Sequence, residues 1–407
     1  EQLRHLRVVV ESDPAPAGCH ACGVIAASHG RREVRLVDVP SFGRPVRLVW
    51  RKRTWRCVEP KCRAGGWSEQ HDGLARPRAL LTVRACWWPI AQIRREHASV
   101  AGLARQLGTS WRTVWRSIKP LLDQMAADPT RFDNVEVLGV DEHVWRHTRL
   151  GDKYVTVIID LTPARNKTGP ARLLDMVEGR SKAVFKQWLA ARPKEWSKPI
   201  EVVAMDGFSG FKTAASEDLP DAVPVMDPFH VVRLAGDALD RTRQRVQQDT
   251  LGHRGHAGDP LYGVRRALHT GVSFLTEKQT ARLDAVFAIE EHVEVEATWG
   301  IYQRIVAAYR EPDKKKAKEM MQAVITAITT GVPTALVEIR RLGRTLKQRA
   351  ADVLAFFDRP GTSNGPTEAI NGRLEHLRGS ALGFRNLTNY VARSLLEAGG
   401  FRPHLHP

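Results

Sequence analysis

Beyond residue 134 the apolar positions fall into short runs separated by polar turns. Val135, Val137, Leu138 and Val140 form one such run, Asp141 stands at its far end and a polar segment follows. That pattern predicts a buried strand over 135–141 that delivers a carboxylate to the rim of a sheet. KYVTVIIDL and ARLLDMV predict further strands over 153–161 and 171–177. A helix over 181–191, a strand over 200–205 ending at Asp206, a helix near 208–217, a short strand over 222–226 and a long helix from about 228 complete the series. Three strands joined by turns make an antiparallel meander, whereas the later strands alternate with helices. From 250 to 358 a basic loop, GHRGHAGDP, leads into segments of helical period, in which Trp299 could stack on an unpaired base, although Ile301, Ile305 and Ala308 continue an apolar stripe with it and favour a packing role. NGPTEAINGRLEHL then places Glu368 one turn into another helix.

Upstream, RREVRLVDVP and PVRLVWRKRTWRC alternate as a hairpin does, and residues 78–95 read as a helix. SVAGLARQLGTSWRTVWRSI follows, with Leu103, Ala104, Leu107, Gly108 and Val114 in the slots that a helix-turn-helix needs. Thr109 or Ser110 would cap its second helix. On that helix Arg112, Thr113 and Arg116 would face a DNA major groove, where Arg pairs with guanine edges or phosphate; an αα-hairpin with a basic solvated face is the competing reading. Trp111 and Trp115, four apart, read as packing residues rather than base-stacking ones.

The order of elements after residue 133 is that of a ribonuclease-H-like domain, whose first and fourth strands are neighbours. Asp141 and Asp206 would then meet despite 65 residues of separation. The expected fold class is multidomain α+β: a zinc ribbon (1–75), a helix-turn-helix (76–132), and a ribonuclease-H-like α/β catalytic domain (133–249 and 359–407) interrupted by an all-helical insertion (250–358).

Charge adds a partner to this picture. The 407 residues carry a net charge of +17, and residues 1–132 alone hold 23 Lys and Arg against 11 Asp and Glu. Such an excess favours a polyanion and salt-sensitive binding, although a ribosomal or membrane-surface role has the same balance. No apolar run reaches the roughly 18 residues that span a bilayer, and no signal-peptide core is visible, so a cytoplasmic location without a membrane partner is expected.

Five cysteines in such a chain argue for metal or thiolate chemistry rather than disulfides. Cys19 and Cys22 form one pair and Cys57 and Cys62 another, flanking the predicted hairpin; two knuckles at this spacing suit a structural Zn²⁺ with four sulfur ligands, against the plainer reading of buried thiols. Cys86, beside Trp87 and Trp88, reads as a core thiol. The three acids Asp141, Asp206 and Glu368, from three separated elements, match a Mg²⁺ (or Mn²⁺) phosphoryl-transfer site, because hard cations take oxygen ligands and paired ions clamp the attacking and leaving oxygens. Asp160, also at a strand end, is the competing acid.

These residues carry a resemblance. Cys19, Cys22, Cys57 and Cys62, LGVDEHVWRH, VVAMDGFSGF, VMDPFHVVRLA, DPLYGVRRAL and NGPTEAINGRLEHLRGSALGFRNLTNY together resemble the ISL-three family of bacterial insertion-sequence transposases over nearly the whole chain. The resemblance implies an acidic triad at Asp141, Asp206 and Glu368. It also likens Asp227-Pro-Phe-His230 to an Asp/Cys-x-x-His step, with His230 a secondary site residue that positions phosphate, acts as general acid or merely orients Asp227. Implied partners are double-stranded DNA, as terminal inverted repeats and as target, and further copies of the chain in a homodimer or larger synaptic complex at the bacterial nucleoid. Two other readings share the sequence: a DNA-binding regulator on a transposase-derived scaffold, and a structure-specific nuclease without strand transfer.

Overall fold

The computed structural model describes residues 5–147 and 152–401; the ends of the first and last expected segments lie outside the described residues. Strands β1 (Leu6–Val10), β2 (Ala27–Ser41), β3 (Arg44–Arg56) and β4 (Gly66–Ser68) come first, then helices α1 (Val83–Glu96), α2 (Val100–Gln106) and α3 (Trp111–Ala126). There follow β5 (Val137–Val144), β6 (Tyr154–Asp160), the single turn α4 (Thr162–Arg165), β7 (Arg172–Glu178), α5 (Lys182–Ala190) and α6 (Lys194–Ser197). Next are β8 (Val202–Met205), α7 (Ser209–Asp218), β9 (Val223–Met226) and the long α8 (Pro228–Leu251). Six helices run through the insertion: α9 (Arg265–His269), α10 (Glu277–Phe287), α11 (Val293–Arg310), α12 (Lys314–Ala327), α13 (Val337–Gln348) and α14 (Ala350–Asp358). Then come α15 (Gly365–Ser380) and α16 (Leu387–Ala398). The chain divides into two compact units, residues 1–129 with 374–407, and residues 130–373.

In the first unit β3 is central, parallel to β1 and antiparallel to β2 and β4. The β2–β3 hairpin turns at Phe42 and Gly43, both at positive φ, the geometry that matches the twist of paired strands. Leu36, Leu48 and Trp50 bury its inner face. Thr82 caps α1 and donates its hydroxyl to Asp38, while Ser99 and Ser110 cap α2 and α3 with their side-chain oxygens. Leu103, Ala104, Leu107 and Val114 are buried with Ile90, Ile93 and Ile118 in one core, and α16 adds Leu396 to it. Cys86 packs at the edge of that core, where burial raises its thiol pKa.

The second unit is built on a five-stranded sheet in the order β7-β6-β5-β8-β9. The meander pairs antiparallel, and β8 and β9 run parallel to β5, so the first and fourth strands are neighbours as the pattern predicts. α5 and α7 bring Phe185, Trp188 and Phe211 into a core with Leu138, Val140 and Ile158. The insertion helices form a separate core with α8, and Trp299 packs against it as expected. β5 is narrow at Gly139, where an added Cβ would lie 2.6 Å from Thr367 Oγ1. The missing side chain is what lets the start of α15 lie against the strand.

Candidate active site and metal centre

Val140 and Met205 are paired on neighbouring parallel strands, so Asp141 and Asp206, the next residues, stand at the same level; Asp206 follows the end of β8, whereas β5 runs on past Asp141 to Val144 beside β6 instead of ending at the acid. The Asp141 carboxylate accepts the Glu142 N–H at 2.8 Å and the Asn371 Nδ2 at 2.8 Å. Burial, and then the negative charges of Asp206, Glu142 and Glu368, push its pKa up to about 7. Asp206 Oδ1 accepts the Phe208 N–H at 2.8 Å, which closes the loop after β8. Glu368 sits in the exposed first turn of α15; partial burial and the Asp227 charge raise its pKa, against the pull of Arg233.

Asn371 and Arg349 escaped the sequence reading, and Asp227, named there beside His230, has a role that it did not show. Asn371, three positions after Glu368 on the same helical face, holds Asp141, and its own Oδ1 is buried without a hydrogen-bond partner. Asp227 is buried at the start of α8, accepting the N–H groups of Phe229 at 3.0 Å and His230 at 3.4 Å and that of Asn364 at 2.7 Å. It thereby ties α8 to the entry of the helix that carries Glu368. Arg349 donates to the Gly207 carbonyl at 3.0 Å and pairs with Asp352, so the insertion grips the loop next to Asp206. The spacing of strands and helices along the chain says nothing about such links; only an Asn at i+3 from the acid was visible as a signal.

His230 bonds Asp227 through its backbone N–H, and its imidazole lies elsewhere: a Cβ on Gly207 would stand 2.3 Å from Nε2. Burial lowers the imidazole pKa, opposed by Asp206. Asp160 is a different kind of acid. It is 1% exposed, pairs with Arg172 at 2.8 Å and accepts the Thr162 N–H at 2.9 Å, all structural roles.

In the first unit Cys19, Cys22, Cys57 and Cys62 bring their Sγ atoms within 4.8 Å of one another, and among the described residues they are the one His/Cys/Asp/Glu group of three or more so tightly gathered. The Cys19–Cys62 and Cys22–Cys57 sulfurs are 3.7 and 3.5 Å apart. Four ligands at about 2.3 Å from a tetrahedral Zn²⁺ stand about 3.8 Å apart, so the cluster fits structural zinc. The Ala21 N–H, joined by that of Cys22, brings the Cys19 thiol down to about 6, which favours the thiolate a metal takes. His20 stands edge-on to Trp67 instead of joining the sulfurs. The acids are more widely spread than the sulfurs; two cations about 3.5–4 Å apart need such a spread, and an all-oxygen donor set with mutual repulsion suits them.

The helix-turn-helix is held by the hairpin. Arg47 donates to the Leu107 carbonyl at 3.1 Å and to that of Gly108, and Gly108 at φ +62° leaves no room for a Cβ beside Pro45. Arg112 and Arg116 are exposed on α3, whereas the Thr113 hydroxyl bonds Ser110 at 2.9 Å within the cap. Trp115 packs on the core as expected, but Trp111 does not: it is 56% exposed, because at the first position of α3 it lies beyond the stripe formed by Val114 and Ile118.

The transposase for insertion sequence element IS1557 of Mycobacterium tuberculosis is 27% identical over 332 residues, 73% of this chain and 69% of that protein. The transposase for insertion sequence element IS1001 of Bordetella parapertussis is 24% identical over 385 residues, 90% of this chain and 85% of that protein. Among solved structures, the Drosophila P element transposase strand transfer complex aligns with a TM-score of 0.46 at 11% identity, covering 81% of this chain and 94% of that one, a likeness too loose to carry an argument. The DDE_Tnp_ISL3 transposase model matches residues 138–394, more than half of the chain and the whole stretch from Asp141 through Asp206 to Glu368, and the chain therefore belongs to that family of insertion-sequence transposases.

Proposed function

We propose that the chain binds the terminal inverted repeats of its element through the ribbon and helix-turn-helix, and cuts and joins DNA strands at Asp141, Asp206 and Glu368. The catalytic domain in this reading is ribonuclease-H-like: it begins at residue 133, is interrupted by the helical insertion at 250–358 and is completed by the segment with Glu368. The observation that carries the reading is the pairing of Asp141 and Asp206 at one level of adjacent parallel strands, with Glu368 close enough to add to the charge that raises Asp141. Converging carboxylates repel one another, and a scaffold has no use for them.

Asp141 and Asp206 would hold Mg²⁺ or Mn²⁺, and Glu368 would complete a second position. A cation pair there supplies activation of a water or DNA 3′-hydroxyl and stabilisation of the leaving oxygen. The protein's own part is orientation. Asn371 fixes one Asp141 oxygen, the Phe208 N–H turns Asp206, and Asp227 with Gly139 sets the depth of the Glu368 helix. His230, kept neutral by burial, would donate to a phosphate oxygen beside the Gly207 loop. On α3, Arg112 and Arg116 would reach base edges or phosphates, with Thr113 contributing from the cap. Because two ends are joined in one event, the working form would be a homodimer or larger synaptic complex.

The test is incubation with Mg²⁺ or Mn²⁺ and labelled duplex carrying the element's ends, alongside Glu368→Gln. Nicking at the terminus and a joined product, both lost in the variant, are expected. Specific binding without metal-dependent cutting would make the chain a regulator, and cutting without joining would make it a nuclease.

A further inference from the structure

Helix α3 borders two cavities of the first unit. One, of about 400 Å³, is lined by Arg112 and Arg116 together with Arg76 and Arg78. The other, of about 760 Å³, has Trp111 and Trp115 on one side and Leu382, Phe384 and Arg385, from the connection between α15 and α16, on the other. Among the described residues, no acidic side chain lines either cavity.

The second cavity holds a charge that is only partly compensated. Arg393 of α16 lines it, is only 8% exposed, and its Nε is buried without a hydrogen-bond partner. Glu397, the carboxylate that acts on it, also lies 4.0 Å from Arg94, so one negative charge is shared between two guanidiniums. Burial lowers the Arg393 pKa only to about 10, so the guanidinium stays charged at neutral pH. A buried guanidinium in this state is strongly stabilised by an anion that reaches it. On the same cavity Trp111 is exposed and outside the core of its unit among the described residues, with the Arg112 guanidinium 6.0 Å from its ring centre. A cation next to an aromatic platform is the pattern that takes a phosphate and its base together.

We propose that this cavity binds one unpaired nucleotide of a DNA strand, its phosphodiester at Arg393 and its base stacked on Trp111. The inference rests on the reading of α3 as the recognition helix: a duplex held by Arg112 and Arg116 has a displaced base within reach of Trp111, one residue away on the same helix. A strand, rather than a free nucleotide, is favoured because the backbone leaving the cavity meets further positive charge at Arg385.

The test uses the full chain, a labelled short thymidine oligonucleotide and a labelled fully paired duplex of the element's end, with binding read by fluorescence anisotropy across a salt series. Trp111→Ala should lower affinity for the oligonucleotide about tenfold or more and leave the duplex unaffected, and Trp111→Phe should restore most of the loss. Arg393→Gln should reduce the slope of log affinity against log salt for the oligonucleotide by about 0.7, one phosphate on a single strand. Arg393 is buried and its substitution puts folding at risk, so the surface variants at Trp111 stand alone as a test. Unchanged oligonucleotide binding in Trp111→Ala would overturn the proposal, and equal losses on both DNAs would reassign Trp111 to the groove. Thymidine monophosphate competing as well as the oligonucleotide would overturn the strand as occupant. A wild-type chain that binds oligonucleotide but no duplex would sink the recognition-helix reading and leave the cavity standing.

Discussion

Asp141 weakens the fold that presents it. Its carboxyl titrates near 7 in the folded protein against an ordinary value of 3.8. Between those values the native state keeps a proton that the unfolded chain has lost, so stability falls as pH rises from about 4 to about 7 and stays lowered above that. Asp141→Asn should therefore melt several degrees above wild type at pH 8 in buffer without added divalent metal, with the gap closing towards pH 4, while cleavage is lost; thermal melts across pH check this. At this scale the acids were legible, because a carboxylate ending an apolar run is conspicuous. Their roles were not. Asp141 and Asp160 end similar runs, yet one faces the other acids and the other is neutralised by Arg172. Asn371 left only its helical spacing from Glu368 as a trace, since a hydrogen bond between residues 371 and 141 has no local signature.

Among the elements, periodicity did most of the work. Strands β5 to β9 and helices α5, α7 and α8 fall within a few residues of their expected positions, because each buries one face against a single core and so keeps its period. The ribbon is stabilised differently. Its core holds few residues, notably Leu36, Leu48 and Trp50, and a zinc ion on the four cysteines would add folding free energy that this core lacks. About one zinc per chain is expected from metal analysis. Chelation should melt the β2–β3 hairpin by circular dichroism and weaken duplex binding as well, because Arg47 of that hairpin holds the turn at Leu107 and Gly108. A chain folded and fully binding without zinc would remove the ribbon from this account.

Over the molecule as a whole, the insertion is more than a spacer. Arg349 and Asp352, both buried, link it to the Gly207 loop, and Lys212 from α7 shares Asp352 at 2.8 Å. Arg349→Met should cost about 3 kcal/mol, since the Gly207 carbonyl and half of a buried pair lose their partner, with Lys212 limiting the damage. Cleavage should drop further than end binding; urea unfolding beside the cleavage and binding assays separates the two. Equal losses in both would mean that the insertion serves stability alone.

The sequence by itself determined the kinds of element, the two cysteine knuckles, the basic N-terminal third and the positions of three acids, because period, spacing and charge are local properties that survive without a fold. Only tertiary structure decided that Gly139 lets α15 approach β5, that Asp227 ties α8 to Asn364, that the hairpin clasps the helix-turn-helix and that Trp111 is exposed. Each of these depends on residues far apart in the chain meeting at van der Waals or hydrogen-bond distance, and no pattern along the chain encodes such a meeting.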